Sequence, residues 1–125
     1  MGFTVLTPDK QSFAPPSWRP GDERHIVEIP LVAKLEHSRC HLWRYPAGAR
    51  GRRHFQTVQE EVFVVVEGEI VMTLGDEMEE HTLSTSSIVV LEPQTPILIR
   101  NQTDQPALFF AYGAPADRGA EILDE

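Results

Sequence analysis

Cysteine is nearly absent from this chain: Cys40 stands alone. No intramolecular disulfide can form, which excludes the cross-linked scaffold of a small secreted domain and fits a reducing cytoplasm. Long apolar runs are missing too. No window approaches the roughly 18 apolar residues that a spanning helix needs, and residues 1–10 hold no basic segment followed by an apolar one. A soluble, cytoplasmic protein with no membrane partner is expected. Positive charge is also short, with 11 Lys and Arg against 19 Asp and Glu and a net charge of −8. Phosphate contacts require a concentrated basic face, so no nucleic-acid partner is expected. Helix signals are lacking as well, since no stretch sustains a 3.6-residue apolar period between caps.

What remains is a β pattern. A chain of 125 residues is long enough for one domain with its own core. Residues 1–30 read as a proline-rich arm, because Pro8, Pro15, Pro16, Pro20 and Pro30 forbid a continuous helix or central strand. Phe3, Val5, Leu6, Phe13 and Trp18 are too apolar for a free tail, so the arm should lie along the domain or along a partner subunit. His25–Ile29 has the makings of a short edge strand. From residue 31 onward, short β-branched and aromatic segments alternate with Gly and Pro stops. Val62 to Val66 is apolar on both faces, which predicts a strand buried on both sides. Glu67, Glu69, Asp76, Glu77, Glu79 and Glu80 crowd one stretch and read as a solvated hairpin rim. Seven or more short strands predict an all-β sandwich or barrel over residues 31–113, followed by a polar tail over 114–125. Sheet edges and the doubly apolar strand need covering, so a homodimer is expected, with the arm suited to crossing onto the partner.

One segment is specific. Gly48 is followed after five residues by His54-Phe55-Gln56, after four more by Glu61, and after six more by Gly68. Further on, Leu83, Pro93, Pro96 and Asn101 punctuate a second segment around Ile88–Leu91. Residues 35–113 thereby resemble the cupin superfamily, whose first motif is a glycine, His-x-His, a glutamate and a glycine at these spacings. The resemblance implies a cupin-type antiparallel β-barrel, the double-stranded β-helix or jelly roll. This chain departs from the pattern in four places. Gln56 stands for the second histidine, Ser86 and Gln94 for glycines of the second motif, and Ile97 for its histidine.

These departures bear on chemistry. The resemblance implies a divalent metal (Mn, Fe, Ni, Zn or Cu) held by three imidazoles and a carboxylate, with open positions for a substrate. Here His54 and Glu61 are the remaining good ligands and Gln56 offers only a weak amide oxygen, whereas Ile97 offers no donor. His41 joins them if the face of Trp43 and Tyr45 points inward; the opposite parity turns Cys40, Leu42 and Arg44 inward instead. His54 is also the candidate general acid/base of a metal-free site, working against Glu61. Gln56, His41, Trp43, Tyr45, Phe63 and Ile97 are candidate ligand-lining residues, and Arg52, beside Arg50 and Arg53, is placed to meet an acidic ligand near the barrel mouth. Asn101 is expected to support a turn, and Glu60 to point away from Glu61 by strand alternation. Two functions stay open. One is a small-molecule-binding barrel with a reduced or absent metal site. The other is a metal-dependent enzyme, which the resemblance would make a dioxygenase, isomerase, epimerase or lyase acting on a small organic acid or sugar.

Overall fold

The computed structural model describes residues 2–123, so the first residue of the arm and the last two of the tail lie outside the described residues. Frequent Gly and Pro stops leave only short extended segments, and these assemble into two five-stranded antiparallel sheets. The strands are β1 (His25–Glu28), β2 (Arg39–Tyr45), β3 (His54–Gln56), β4 (Glu60–Glu67), β5 (Ile70–Leu74), β6 (Glu79–Leu83), β7 (Ile88–Leu91), β8 (Ile97–Arg100), β9 (Ala107–Ala114) and β10 (Ala120–Ile122). The first sheet runs β1-β2-β9-β4-β7 and the second β10-β3-β8-β5-β6. Among the described residues, helix is confined to two single 3-10 turns, Lys10–Ser12 and Ile29–Leu31. No helix among the described residues is long and apolar enough to cross a membrane. This is the all-β jelly roll that the motif spacing implied.

The sheets pack face to face, and Tyr45, Phe63, Phe109, Ile70, Met72 and Ile97 form the heart of the core between them. Ring contacts knit its aromatic part, with Tyr45 and Phe109 centroids 5.1 Å apart and Phe63 and Phe109 6.2 Å apart. Asn101, 1% exposed, ties the corner after β8. Its Nδ2 donates to the carbonyls of Tyr45 and Gln105, and its Oδ1 accepts from the Thr103 backbone and hydroxyl. The turn role expected of it is thus a buried hydrogen-bond hub, the arrangement a buried amide needs.

Two sequence expectations change, and one of the alternatives left for the arm is seen. The sheets run past 31–113 at both ends, because β1 pairs with β2 and β10 pairs with β3. Arm and tail therefore supply edge strands, as the alternation in His25–Ile29 suggested for one of them. Only the later part of the arm lies on its own domain, with Ala14 bridging Ile26 and Ser17 donating to the Glu28 carboxylate, whereas Phe3 and Val5 are 92% and 75% exposed. Strand β4 is not buried on both sides: Phe63 and Val65 face the core, while Val66 is 46% exposed and Val62 and Val64 are only half-buried. Among the described residues, nothing covers the apolar outer face of the first sheet.

Candidate functional site

The inward register of the first sheet sorts its residues into rows. Arg39, Gly113 and Glu61 are Cα partners across β2, β9 and β4. His41, Ala111 and Phe63 form the next row, then Trp43, Phe109 and Val65. Side chains on one face lie in such rows because strand residues alternate faces. The small Ala111 leaves space in its row, Gln59 packs over Gly113 in the row above, and Phe109 closes the cavity below. The result is a cavity of about 500 Å3 with charged and polar groups toward one end and aromatic rings toward the other. The second sheet contributes His54, Gln56 and Ile99, with Ala120 and Ile122 of β10 beside them.

This geometry settles the open parity of β2. His41, Trp43 and Tyr45 line the cavity. Cys40, Leu42 and Arg44 alternate with them and lie on the outer face. Gln56, Phe63 and Glu61 line the cavity with His54, and the exposed Arg52 stands at its rim. Ile97 departs from expectation. It pairs directly with His54, yet it is 1% exposed within the apolar core and does not line the cavity. Apolar side chains on β5 and β8 draw it down among them. Arg50 reaches only a shallower, polar depression beside the mouth.

Several lining residues carry no sequence signal. Trp18 comes from the arm and sits edge-on to Trp43, with centroids 6.2 Å apart. Arg24 lies 4.9 Å above the Trp43 ring, the geometry of a cation–π contact. Its guanidinium is held by Asp22, and its Nη1 donates to the Tyr45 hydroxyl at 3.2 Å. Burial works against that charge, but the Asp22 and Tyr45 contacts outweigh it and hold the Arg24 pKa above its ordinary value. Gln59 is buried, and its amide donates to the carbonyls of Pro115 and Asp117. Arg39 was within reach of the sequence, since it shares the parity of His41 two residues on. Arg118 was not, because only the fold returns the tail to the cavity.

The titrating groups are shifted, Glu61 and His41 most clearly. Burial pushes the Glu61 carboxyl up to about 7, against the pull of the Arg39 charge. Burial carries His41 down to about 4, with the Arg39 and Arg118 charges acting in the same direction and Glu28 opposing them. His54 is lowered by burial and the Arg24 charge, with the Arg52 carbonyl contact opposing. Both rings are neutral near pH 7, and their contacts assign their protons. His54 Nδ1 donates to the Arg52 carbonyl at 2.8 Å, which leaves the Nε2 lone pair free. The Arg39 guanidinium can only donate, so at 3.3 Å it requires His41 Nε2 to accept, and the proton sits on Nδ1. His41 Nδ1 and Gln56 Oε1 are buried without a partner.

The four-ligand metal set that the resemblance implied does not fit this donor arrangement. Among the described residues no three His, Cys, Asp or Glu side chains group as a metal site. The guanidinium on His41 Nε2 opposes a cation there, and the remaining cupin histidine position belongs to Ile97, packed in the core. His54 Nε2 is the one donor with the outer contact typical of a ligating imidazole, an Nδ1–H bound to a backbone carbonyl.

Comparison with known proteins agrees with the architecture. A family model described as "Cupin domain" matches residues 41–112. No curated protein matches the sequence. Among solved structures, an uncharacterized protein with a double-stranded β-helix domain from Klebsiella pneumoniae is 17% identical with a TM-score of 0.76, the match covering 98% of this chain and 100% of that one. A sugar phosphate isomerase of the cupin superfamily from Silicibacter pomeroyi is 23% identical with a TM-score of 0.75, covering 96% and 83%. A polyketide cyclase from Streptomyces resistomycificus reaches a TM-score of 0.78 at 10% identity, covering 98% and 87%. At these identities the likeness is one of fold.

Proposed function

The chain belongs to the cupin domain family, and on that premise we propose that its barrel binds one small organic molecule in the cavity between the sheets, without the four-ligand metal site of the family. The observation that carries this reading is the lining itself. Trp18, Trp43 and Phe63 give the cavity an aromatic lining, and His41 and Gln56, which line it too, each carry a buried polar atom with no protein partner. Concave sites with an apolar wall and a few convergent polar groups are the usual form of a ligand pocket. Buried polar atoms are ordinarily satisfied, so orphans on two residues that line a cavity speak for a ligand that completes them.

A second reading is an enzyme, and the shifted pair Glu61 and His54 favours it. A carboxyl near pH 7 and a neutral imidazole with a free Nε2 suit proton transfer between two positions on one ligand. Two of the structural neighbours are named as enzymes, which supports keeping this reading. The test is the metal content of the tag-free protein and of His54→Ala, after dialysis against Mn, Fe, Ni, Zn or Cu ions, by inductively coupled plasma mass spectrometry. The expected result is far less than one equivalent in both. Near-stoichiometric metal that vanishes in His54→Ala would replace the binding reading with the metal-dependent enzyme.

The assembly we propose is a homodimer built through the outer face of the first sheet rather than through the arm. Leu42, Phe110, Val64 and Ile88 form one outward row, and Cys40, Tyr112, Val62 and Val90 the next. Ile88 is 65% and Val90 69% exposed in the single chain. The occupant that fits is a second copy. β9 is the central strand, so a twofold axis along it sets β2 of one protomer over β4 of its partner. Arg44 and Glu67 flank Leu108 in a single row. That axis therefore brings each Arg44 opposite the other protomer's Glu67, and the apolar rows meet between them.

A further inference from the structure

We infer that the ligand of this cavity is a small hydroxy-carboxylate, held carboxylate-first against Arg39, His41 and Arg118 with its hydroxyl toward Gln56. This deepens the binding reading above and rests on it.

The cations in and around the cavity are not equivalent. Arg24 is fixed by Asp22 and Tyr45, so its charge is already answered. Arg39 and Arg118 both reach the cavity, and neither forms a salt bridge among the described residues. Arg39 is half-buried, its pKa lowered by burial and by the Arg118 charge, with Glu61, Glu28 and Asp117 acting more weakly in the other direction. Glu28 is engaged by Ser17, and Asp117 accepts from the Gly119 backbone. Glu61 lies across Gly113 from Arg39, two strands and therefore about 10 Å away along the row. Two like charges at one end of a cavity, in a chain of net charge −8, make a local anion site in an otherwise repelling field.

The hydrogen-bond groups beside them agree. His41 Nδ1 carries a proton and has no acceptor, so it adds a neutral N–H donor next to the two guanidiniums. Gln56 Oε1, on the opposite sheet, is an acceptor without a donor. A carboxylate satisfies the first group and a hydroxyl the second. The rings of Trp43 and Phe63 between them take the apolar body. A phosphate is the poorer fit, since a dianion would stand on the same wall as the Glu61 carboxyl.

The molecule offers its own reporter. The chain has two tryptophans, and Trp18 and Trp43 both line the cavity, so every indole N–H signal in a 1H–15N spectrum reports on this site. Mandelate carries the carboxylate, the hydroxyl and an aromatic body. It should shift both indole signals in the wild type, bind at least tenfold more weakly to Arg39→Gln, and recover part of that loss in Arg39→Lys. Its neutral methyl ester should bind wild type and Arg39→Gln alike. If Arg39→Gln does not fold, as judged by circular dichroism, the rim variant Arg118→Gln carries the same comparison, with a loss of about threefold or more expected. Equal affinity of mandelate for wild type and the folded arginine variants overturns the inference. So does phenyl phosphate binding more tightly than mandelate with the same dependence on Arg39, which would make the anion a phosphate. Benzyl alcohol separates the two levels of argument. If it shifts the indoles while mandelate gains nothing over it, the carboxylate is wrong and the binding cavity stands. If no probe moves either indole, the binding reading fails as well.

Discussion

The two faces of the first sheet invert the usual arrangement of a β-sandwich. Its inner face is enclosed, yet at one end it carries Arg39, His41 and Glu61, groups that ordinarily seek water. Its outer face is open, yet it carries Leu42, Phe110, Val64, Ile88 and Val90, groups that ordinarily avoid it. Each face is incomplete in the isolated chain. The inner one lacks hydrogen-bond and charge partners, and the outer one lacks apolar cover. In the reading proposed above, a ligand would complete the first and a second copy the second. Because strand residues alternate faces, the same three strands β2, β9 and β4 serve both needs, with odd and even positions assigned to different partners.

The largest effect should come from breaking the outer face. The double variant Ile88→Lys/Val90→Lys places unpaired charges in the proposed dimer, which costs roughly 3 kcal/mol or more of association energy. Sedimentation velocity should show the wild-type dimer become a monomer at micromolar concentration. Both positions are well exposed in the single chain, so monomer stability should stay within about 0.5 kcal/mol. A wild type that is already monomeric, or a variant that stays dimeric, would sink the assignment of this face.

Next comes the inner face, at the glycine that makes room for Gln59. A Cβ on Gly113 would lie 2.2 Å from Gln59 Cδ, so Gly113→Ala must push Gln59 off its place. Its hydrogen bonds to Pro115 and Asp117 would go with it. Overpacking of this kind costs about 1–3 kcal/mol, which urea unfolding would read. The comparison sharpens if dimerisation is untouched while mandelate binding is lost, since Gly113 sits between Arg39 and Glu61. A stability change under about 0.5 kcal/mol would show that Gln59 is free to move.

Glu61 gives a smaller, pH-dependent signature. Its carboxyl titrates near 7 in the folded chain, above the value of a free glutamate. Between about pH 4.5 and 7 the folded state therefore holds a proton that the unfolded state has lost, and stability falls as pH rises through that window. His41, lowered to about 4, acts oppositely over roughly pH 4 to 6.5, where the unfolded state binds the extra proton. Glu61→Gln removes the first contribution and leaves the second. The variant should gain on the wild type by roughly 2 kcal/mol between pH 5 and pH 8. A difference that does not change with pH would mean that Glu61 is ionised in the folded protein throughout.

Much of this division was visible in the sequence, and its limits have physical causes. The run of short strands pointed to a sandwich or barrel, and the resemblance carried by Gly48, His54, Glu61 and Gly68 implied which one; that stretch holds β3 and β4 with a turn at either end. The apolar doubling of β4 was legible as a pattern, but not as one face in a core and another awaiting a partner. The parity of β2 could not be read, since Arg39, His41, Trp43 and Tyr45 are no more apolar as a set than Cys40, Leu42 and Arg44. The row Arg39–Gly113–Glu61 joins three strands distant in sequence, and no local pattern announces it. Ile97 was expected on the pocket wall because of its motif position, but apolar neighbours on β5 and β8 claim it for the core.

The smallest effect separates backbone from function. Ser86 and Gln94 stand where the family motif has glycine, and both keep a left-handed backbone, with φ of 74° and 67°. The turns thus retain the shape that glycine favours while bearing side chains that it strains. For a non-glycine residue that conformation costs roughly 1–2 kcal/mol, and the greater freedom of glycine in the unfolded chain returns part of the gain. Ser86→Gly and Gln94→Gly should each raise stability by about 0.5–1 kcal/mol, read as an increase in the urea midpoint. Their consequences should then diverge. The Ser86 amide donates to the Val65 carbonyl in the turn entering β7, away from the cavity, so the indole signals should not change. The Gln94 amide donates to the Gln56 carbonyl at 2.7 Å, on the strand that carries Gln56 at the cavity. Freedom introduced at residue 94 should reach that strand and weaken mandelate binding modestly, by about twofold, while the dimer is unaffected. Equal behaviour of the two variants toward mandelate would mean that the strand carrying Gln56 is held by its other contacts, the pairing with β10 above all.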